Sequence, residues 1–277
     1  MRLRFKDGIK KALTLSYDDG VVQDIRLMEI MNKYGLKGTF NINSGMYLPE
    51  DAERKKFYGR LKLSEAKKLY TNSGHEVAVH AFNHPFLENL DELEIIYQII
   101  EDRKSIEENY GVIARGMAYP YGTYSSKVIS ILEKCKVAYA RTVKATNSFN
   151  LPENWLELHP TCHHKSDNLM DLAKEFVEKD RRWGNAEMFY LWGHSYEFDN
   201  DNNWDIIEKF ASLTGGHNDI WYATNIEIYD YVKAYESLQT SYDQKIIKNP
   251  TATDVWAEIN NKTICIKAGK SMKVEDI

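Results

Sequence analysis

The stretch Ala12-Leu13-Thr14-Leu15-Ser16-Tyr17-Asp18-Asp19-Gly20 decides the fold of this chain. Its first six residues are apolar or β-prone, and two adjacent acids and a glycine follow them directly. This pattern predicts a buried strand that ends in a turn. By itself the ending is also typical of an ordinary turn or a helix N-cap, because Asp side chains accept backbone N–H bonds and Gly adopts positive φ. Other parts of the chain are needed to decide whether the two acids are catalytic.

Apolar runs of strand length alternate with segments of helical periodicity along most of the chain. Strands are predicted at residues 12–17, 38–42, 76–79, 116–119, 137–142, 187–192 and 219–222. Helices are predicted at residues 24–34, 64–72, 91–109, 125–134, 168–179, 203–213 and 225–238. The alternation is typical of parallel strands joined by crossover helices, so it predicts an α/β fold.

The last part of the chain follows another pattern. Residues 245–248, 254–259 and 263–267 are short β-like runs, and turn-prone asparagines separate the last two. These runs predict a small β-rich C-terminal appendage over residues 241–277. A catalytic domain is predicted for residues 1–240, and the appendage is expected to pack against it.

Composition limits the classes of partner. The 277 residues are 43% hydrophobic and 28% charged, and no apolar run approaches the roughly 20 residues that cross a bilayer. A net charge of −5 gives no general attraction for a polyanion. We therefore expect a globular protein that binds neither membrane nor nucleic acid.

The start of the chain and its cysteines favour a cytoplasmic location. Residues 1–8 are charged, and the apolar core of a signal peptide does not follow them. The three cysteines, Cys135, Cys162 and Cys265, are odd in number and widely spaced, which does not indicate a disulfide framework. A signal removed before this sequence begins would leave the same pattern.

A second cluster of polar residues follows the strand predicted at residues 76–79. His80 and His84 form a His-x-x-x-His spacing there. Two imidazoles and one carboxylate form a common metal-binding arrangement that leaves positions open for water and substrate. Asp19 is the natural third ligand, because parallel strands deliver their carboxyl ends to one edge of the sheet.

Another pair of histidines has the same spacing. His159 and His163 also lie four apart, and His164 follows them. Pro160 interrupts this segment, and no acidic motif pairs with it in the sequence. We interpret it as a polar loop near the cleft, with a second metal site as the alternative.

Two further motifs follow predicted strands, namely Pro120-Tyr121-Gly122 and Leu191-Trp192-Gly193-His194. With Ser16-Tyr17-Asp18-Asp19-Gly20 and His80-x-x-x-His84, they occur in an order that resembles the polysaccharide deacetylase family, carbohydrate esterase family four. The resemblance covers about residues 12–195. It implies a distorted (β/α) barrel with parallel strands that hydrolyses an acetyl group, typically the N-acetyl group of an amino sugar.

The resemblance also implies roles for individual residues. Asp19, His80 and His84 would bind one divalent ion, for which Zn²⁺ is the first candidate and Co²⁺, Ni²⁺, Mn²⁺ and Fe²⁺ are alternatives. Asp18 would be the general base and His194 the general acid. The substrate-binding residues implied are Pro120, Tyr121, Leu191 and Trp192, with the Tyr121 N–H on the developing oxyanion and Leu191 in the acetyl pocket.

The chain departs from the family pattern at two places. The family often has an arginine that orients the base two residues before the motif proline, where this chain has Ala118. We predict that Arg141, in the strand at residues 137–142, replaces it in space and adjoins the substrate. The family's later Asp, which holds the acid histidine, has no clear counterpart here.

The sequence therefore predicts a metal-dependent hydrolase that removes acetyl groups from an oligo- or polysaccharide. A small amide or an O-acetyl ester is an alternative substrate. A sugar-binding protein with a degenerate site is the alternative from another class, because the residues around the base and the acid are altered. The sequence does not name the sugar, the metal or the oligomeric state.

Overall fold

The stretch around Asp18 forms the central strand of a curled parallel sheet. The computed structural model describes residues 1–54, 59–178 and 184–274. Its strands are β1 (Arg2–Arg4), β2 (Lys11–Asp18), β3 (Gly38–Ile42), β4 (Glu76–Val79), β5 (Gly116–Ala118), β6 (Tyr139–Arg141), β7 (Cys162–His163), β8 (Glu187–Gly193), β9 (Ile220–Tyr222), β10 (Gln239–Thr240), β11 (Ile246–Lys248), β12 (Val255–Ile259), β13 (Lys262–Ile266) and β14 (Ser271–Lys273).

The helices lie mainly between the parallel strands. They are α1 (Asp24–Lys33), α2 (Leu63–Tyr70), α3 (Glu92–Tyr110), α4 (Ser126–Lys134), α5 (Leu169–Glu178), α6 (Tyr196–Asn200), α7 (Trp204–Thr214) and α8 (Asn225–Glu236). Sequence signals explain where several helices begin. For example, the Asp91 side chain caps α3 by accepting a hydrogen bond from the backbone N–H of Glu94 at 2.9 Å. Among the described residues, none of the helices combines the length and apolar character that a membrane span requires.

The main sheet has the order β6-β5-β4-β3-β2-β8-β7, and β9 also pairs with β2. All of these pairings are parallel, and the sheet curls into a half-barrel. The predicted α/β class with a distorted parallel barrel is therefore confirmed. All seven predicted strands and all seven predicted helices are present, although the predicted end of one helix at residue 179 lies outside the described residues. The sequence missed β1, β7, β10, β14 and the five-residue α6.

The two faces of β2 separate an apolar layer from a polar interior. Leu13, Leu15 and Tyr17 belong to the large core between the sheet and the surrounding helices. Ser16 and Asp18, on the opposite face, are buried and polar. Buried polar groups need hydrogen-bond partners, so this interior requires a network of side-chain bonds.

That network runs through the inside of the half-barrel towards Asp18. Asn225 Nδ2 donates to the Tyr190 hydroxyl at 2.7 Å, deep in the interior. Nearer the carboxyl ends of the strands, Asn41 Nδ2 donates at 2.8 Å both to Ser16 Oγ and to Asp18 Oδ1. The fold therefore holds the carboxylate of Asp18 with side chains from neighbouring strands.

The half-buried residue Glu76, at the opposite end of the interior, makes stability depend on pH. Burial is the largest influence on Glu76 and raises its pKa to about 7, against hydrogen bonds from Ile226, Thr39 and Tyr139. The folded chain therefore holds this proton more tightly than the unfolded chain, whose ordinary pKa is 4.5. The resulting stabilisation is complete below that ordinary pKa and is lost as the pH rises to about 7.

Between pH 5 and pH 8 the free energy of unfolding of the wild type should fall by about 2–3 kcal/mol more than that of Glu76→Gln. The glutamine cannot ionise, so it removes only this contribution and leaves those of other buried carboxyls in place. Urea unfolding of both proteins at the two pH values measures the difference. Equal losses would contradict the raised pKa.

The C-terminal strands form two small antiparallel sheets. Their orders are β1-β12-β13 and β10-β11-β14. Arg4 is fully buried there, and its Nη2 lies 2.8 Å from Glu258 Oε2. The three β-like runs predicted in this region are strands, but strand pairing also brings residues 2–4 into the same unit. A division at residue 240 remains a sequence prediction.

Candidate active site

The carboxyl ends of the parallel strands bring the predicted catalytic residues together. Asp18 is the last residue of β2, and His80 follows β4 directly. Arg141 ends β6, and His194 follows β8 directly. Parallel strands present these ends at one edge, which is where α/β folds position their sites. The arrangement places a base candidate, a metal-ligand candidate, a cation and an acid candidate at one edge.

Asp18 is a buried carboxylate with charged partners on several sides. Arg141 Nη2 donates to its Oδ2, and Asn41 donates to its Oδ1. The same Oδ2 lies 3.7 Å from His80 Nε2 and 3.9 Å from His194 Nε2. Burial raises the pKa of Asp18, but Arg141 and the two histidines outweigh burial and hold that pKa well below its usual range. Asp18 is therefore ionised at neutral pH.

The residues Asp19, His80 and His84 form a donor set that fits a divalent ion. One ligand atom from each lies within 4.8 Å of the others. His80 Nδ1 lies 2.8 Å from the carbonyl oxygen of Ala118. Since a carbonyl only accepts, Nδ1 carries the hydrogen and Nε2 keeps the lone pair that a metal requires. The donor types and the protonation pattern both fit Zn²⁺ or a similar ion.

A surrounding group of polar residues orients these ligands. Arg60 Nη2 lies 3.0 Å from Asp19 Oδ1, and Arg60 Nη1 donates to Asn43 Oδ1 at 2.8 Å. Asn43 Nδ2 in turn donates at 2.9 Å to the carbonyl oxygen of Ala81 in the turn after His80. Arg60 and Asn43 thus link the end of β2 to the histidine-bearing turn. Partners of this kind fix metal ligands in their binding orientation.

The backbone adopts positive φ at several residues of the site. Asp19 has a φ of 87°, Ala81 of 60°, His84 of 54° and Tyr121 of 59°. Non-glycine residues rarely occupy this region, and such strain concentrates at functional sites. The hydrogen bonds around Asp19 and the turn after His80 support this conformation at two of the predicted ligands.

An aromatic pair lies beside the metal-ligand candidates. Tyr121 follows the buried Pro120, and its ring centroid is 4.5 Å from that of His84. The ring of Phe86 stacks on the ring of Tyr121. Their centroids are 3.8 Å apart, and the angle between their planes is 10°. Tyr121 is 52% exposed and Phe86 43% exposed. These rings offer an open apolar surface at the entrance to the site.

The pleat of β8 separates two predicted substrate residues. Leu191 is fully buried in the large core on the helix side of the sheet. Trp192, its neighbour, has its ring 4.3 Å from the guanidinium carbon of Arg141, at the interior face. The structure therefore does not bring Leu191 to the cleft, because successive strand residues point to opposite faces. Trp192 and Arg141 lie beside Asp18.

His194 and Glu197 form a second pairing at the same edge. The Nδ1 atom of His194 lies 3.2 Å from Glu197 Oε2, and its backbone N–H donates to the same oxygen at 3.1 Å. Burial alone lowers the pKa of His194, but the hydrogen bond to Glu197 and the charges of Asp18 and Asp19 outweigh it and raise that pKa. His194 is therefore held closer to its protonated form.

The segment with the other histidines is partly a strand. Cys162 and His163 form β7, so the prediction of a loop through this segment is wrong for these two residues. His163 and His164 each have a ligand atom near the carboxylate of Glu197. His159 is not part of this group; its Nδ1 is hydrogen-bonded to Thr142 Oγ1.

Sequence reasoning missed Arg60, Asn43, Asn41 and Glu197. Arg60 lies in an irregular segment without a recognisable motif, whereas Asn43 follows β3 directly, so its place after a strand was an available signal. Asn41 shares its buried strand with apolar residues, and an asparagine inside such a strand is an available signal. Glu197, three residues after His194, could have been found from the reach of a side chain within one helical turn.

Relatives of this chain were found by sequence and by fold. Residues 6–140 match the polysaccharide deacetylase family model. The uncharacterized protein YlxY of Bacillus subtilis is 27% identical over 106 residues, which are 38% of this chain and 29% of that protein. Chitin deacetylase 1 of Cryptococcus neoformans is 28% identical over 125 residues, which are 44% of this chain and 23% of that protein.

A solved structure extends the likeness in fold to most of the chain. The crystal structure of a candidate polysaccharide deacetylase from Mycobacterium smegmatis has a TM-score of 0.60 and covers 85% of this chain and 94% of that one. Its sequence identity is 15%, so the likeness concerns the fold alone. The matched segments of the two curated relatives amount to about a quarter of their lengths. The family match includes Asp18, Asp19, His80 and His84 and ends before Arg141 and His194.

Proposed function

Since residues 6–140 belong to the polysaccharide deacetylase family, we propose that the protein is a metal-dependent hydrolase that removes acetyl groups, chiefly N-acetyl groups, from a carbohydrate. The observation that carries the proposal is the position of Asp18. Its carboxylate lies beside the donor set of Asp19, His80 and His84 and is 3.9 Å from the Nε2 atom of His194. A base, a Lewis-acid site and an acid are thus within reach of one acyl group.

Asp19, His80 and His84 would hold the ion. A divalent ion there supplies Lewis-acid polarisation of the acyl oxygen and of the attacking water. Zn²⁺ is the first candidate, because two imidazoles and a carboxylate suit it. The other candidates are Co²⁺, Ni²⁺, Mn²⁺ and Fe²⁺, which imidazole and carboxylate sites also bind.

Asp18 would take the proton from the attacking water. Arg141 and Asn41 hold the carboxylate by hydrogen bonds to separate oxygens, so the base does not have to reorient during the reaction. A geometrically fixed general base contributes about 10²- to 10⁴-fold to a rate. We assign the backbone N–H of Tyr121 to the developing oxyanion.

His194 would give a proton to the leaving nitrogen. An amine leaves an acyl centre only when it is protonated, because the amide anion is far too basic. The raised pKa of His194 favours the protonated imidazole that this step needs. Its Nε2 atom lies 3.9 Å from Asp18 Oδ2, so the acid and the base would be close enough to act on one acyl group.

The aromatic residues would bind the sugar. Tyr121 and Phe86 form an open stacked pair beside His84, and Trp192 forms a buried wall with Arg141. Aromatic rings with a polar edge suit amphipathic ligands. Acetylated oligo- or polysaccharides are therefore the substrates to test first.

We expect removal of the metal to lower acetate release by at least about tenfold, because the acyl oxygen loses its Lewis acid. The measurement is acetate release from acetylated chitooligosaccharides and from an artificial acetyl ester, before and after chelation and after addition of Zn²⁺. His84→Ala should lose metal and activity together. His217→Ala is the matched control. It also removes a histidine, but His217 is hydrogen-bonded to the carbonyl oxygen of Leu213 and is not in the donor set, so metal and activity should be retained. Release that persists in metal-free protein would refute metal dependence, and sugar binding without release would favour a binding protein.

A further inference from the structure

The carboxylate of Glu197 gathers donors from two segments of the chain, residues 163–165 and His194. Oε2 lies 3.2 Å from His194 Nδ1 and 3.2 Å from His163 Nε2. Lys165 Nζ lies 3.1 Å from Oε1. The side chain of Glu197 is only 16% exposed, so these donors replace most of its contact with water. This density of partners requires an explanation beyond a surface ion pair.

A second metal site is the first explanation to consider. Ligand atoms of His163, His164 and Glu197 lie within 4.8 Å of one another, and both ring nitrogens of the buried His164 lack a hydrogen-bond partner among the described residues. His163, however, accepts a bond at Nδ1 from the backbone N–H of Lys165 at 3.1 Å. A neutral imidazole carries one hydrogen, so Nε2 of His163 must be the protonated nitrogen. This nitrogen can donate to Glu197 and cannot ligate an ion.

The charge around Glu197 also argues against an ion. The ammonium group of Lys165 already neutralises Oε1 and lies 2.7 Å from Asp201 Oδ2 as well. A divalent cation would have to displace this ammonium group or approach it closely. The geometry therefore favours a carboxylate that receives N–H groups.

The same contacts define which ring nitrogen of His194 carries a hydrogen and how the ring is oriented. A carboxylate with ionised oxygens only accepts, so Nδ1 of His194 carries a hydrogen. In the neutral ring Nε2 then has the lone pair, and in the charged ring Nε2–H faces Asp18. The backbone N–H of His194 bonds to the same Oε2, which ties the main chain and the ring to one atom. The ring orientation is therefore fixed from both sides.

On these grounds we propose that Glu197 is the positioning residue of His194, and that His163 and Lys165 hold the Glu197 carboxylate in place for this role. The proposal rests on the proposed function, in which His194 is the acid. Glu197 acts through His194 and does not touch the reacting atoms. It reaches the ring from α6, next to the histidine in the chain, so no residue of a later strand is needed for this task.

Charges from several elements face His194. Asp18 and Asp19 approach from the end of β2, and Glu197 approaches from α6. From β7, the ring centroid of His163 lies 6.4 Å from that of His194. The charge of Lys165 is paired with Glu197. Because Asp18 and Asp19 remain in place, loss of Glu197 should weaken the protonation of His194 without abolishing it.

The test uses Glu197→Gln in the full chain. We expect the pKa of His194, followed by NMR of the imidazole, to fall relative to the wild type. The alkaline limb of the pH profile of kcat should move to lower pH, and kcat at neutral pH should fall by at least about tenfold with little change in KM. Metal content, measured on the same samples, should equal that of the wild type.

Asp201→Asn is the matched control. Asp201 shares Lys165 with Glu197 and does not contact His194, so its loss tests the ion pair alone. We expect this variant to keep the pH profile of the wild type. A Glu197→Gln protein with an unchanged His194 titration would overturn the proposal, and so would one that loses a second equivalent of metal.

The wild-type protein gives an independent test that does not depend on the folding of a variant. The ¹⁵N shifts of His194 at high pH should show the tautomer with hydrogen on Nδ1. Hydrogen on Nε2 would overturn the proposal. This measurement holds even if no acetylated substrate is hydrolysed, so failure of the proposed function and failure of this inference are distinguishable.

Discussion

Asp18→Asn should lower kcat/KM for an acetylated chitooligosaccharide by about 10²- to 10⁴-fold. The asparagine cannot take a proton from water, whereas its volume and its amide oxygen keep the shape and one hydrogen bond of the carboxylate. Arg141 can still donate to that oxygen, but its buried charge loses the counter-charge of Asp18, so urea unfolding checks that the variant is folded. Acetate release at saturating metal measures the effect.

The neighbouring acid provides the matched comparison. Asp19→Asn should lose bound metal as well as activity, whereas Asp18→Asn should keep its metal, because only Asp19 belongs to the donor set with His80 and His84. Atomic absorption on both variants separates the two roles. A fully active Asp18→Asn protein would exclude Asp18 as the base, and loss of metal in this variant would move Asp18 into the ligand set.

The sequence contained enough to predict the edge at which the site forms. Asp18 and Asp19 end a buried run, and His80 and His194 each follow another run directly. Parallel strands bring such ends together whatever their separation along the chain. Arg141 could be predicted for the same reason, since its strand ends at that edge too, and the structure places it in contact with Asp18.

The ends of the parallel strands did not predict Arg60 and Glu197, which orient the metal-ligand candidates and the acid. Arg60 reaches Asp19 from an irregular segment, and no periodicity relates the two residues. Glu197 lies on a helix of five residues, which is too short to produce a periodic signal, so its separation of three residues from His194 was the one signal available. Such contacts depend on loop geometry and on single side-chain conformations.

Two neighbouring residues predicted to bind substrate, Leu191 and Trp192, lie on opposite faces of β8. The family resemblance implied that Leu191 lines the acetyl pocket and that Trp192 also binds substrate, but strand residues alternate between faces. Trp192 therefore shares the interior face with Arg141, and Leu191 packs in the apolar core on the other face. Register within a fully buried strand is not visible when both faces are apolar.

Loss of one member of the buried ion pair between Arg141 and Asp18 should strongly destabilise this part of the fold. Arg141 and Asp18 are each at most 2% exposed, and Arg141 Nε and Nη1 lack hydrogen-bond partners among the described residues. Asp18 and the ring face of Trp192 are therefore the principal partners of this cation. A pair buried to this degree becomes costly when one member is removed, because the remaining charge is left without compensation.

Arg141→Met should therefore reduce the free energy of unfolding by about 3–5 kcal/mol at neutral pH. Arg115→Met is the matched control, since Arg115 pairs with the 51% exposed Asp230 and should contribute only about 0–1 kcal/mol. Urea unfolding gives both values. The double variant Arg141→Met with Asp18→Asn should lose less than the sum of the single losses, because it leaves no unpaired buried charge. Additive losses would mean that Arg141 stabilises the fold by packing on Trp192 and not through the carboxylate of Asp18.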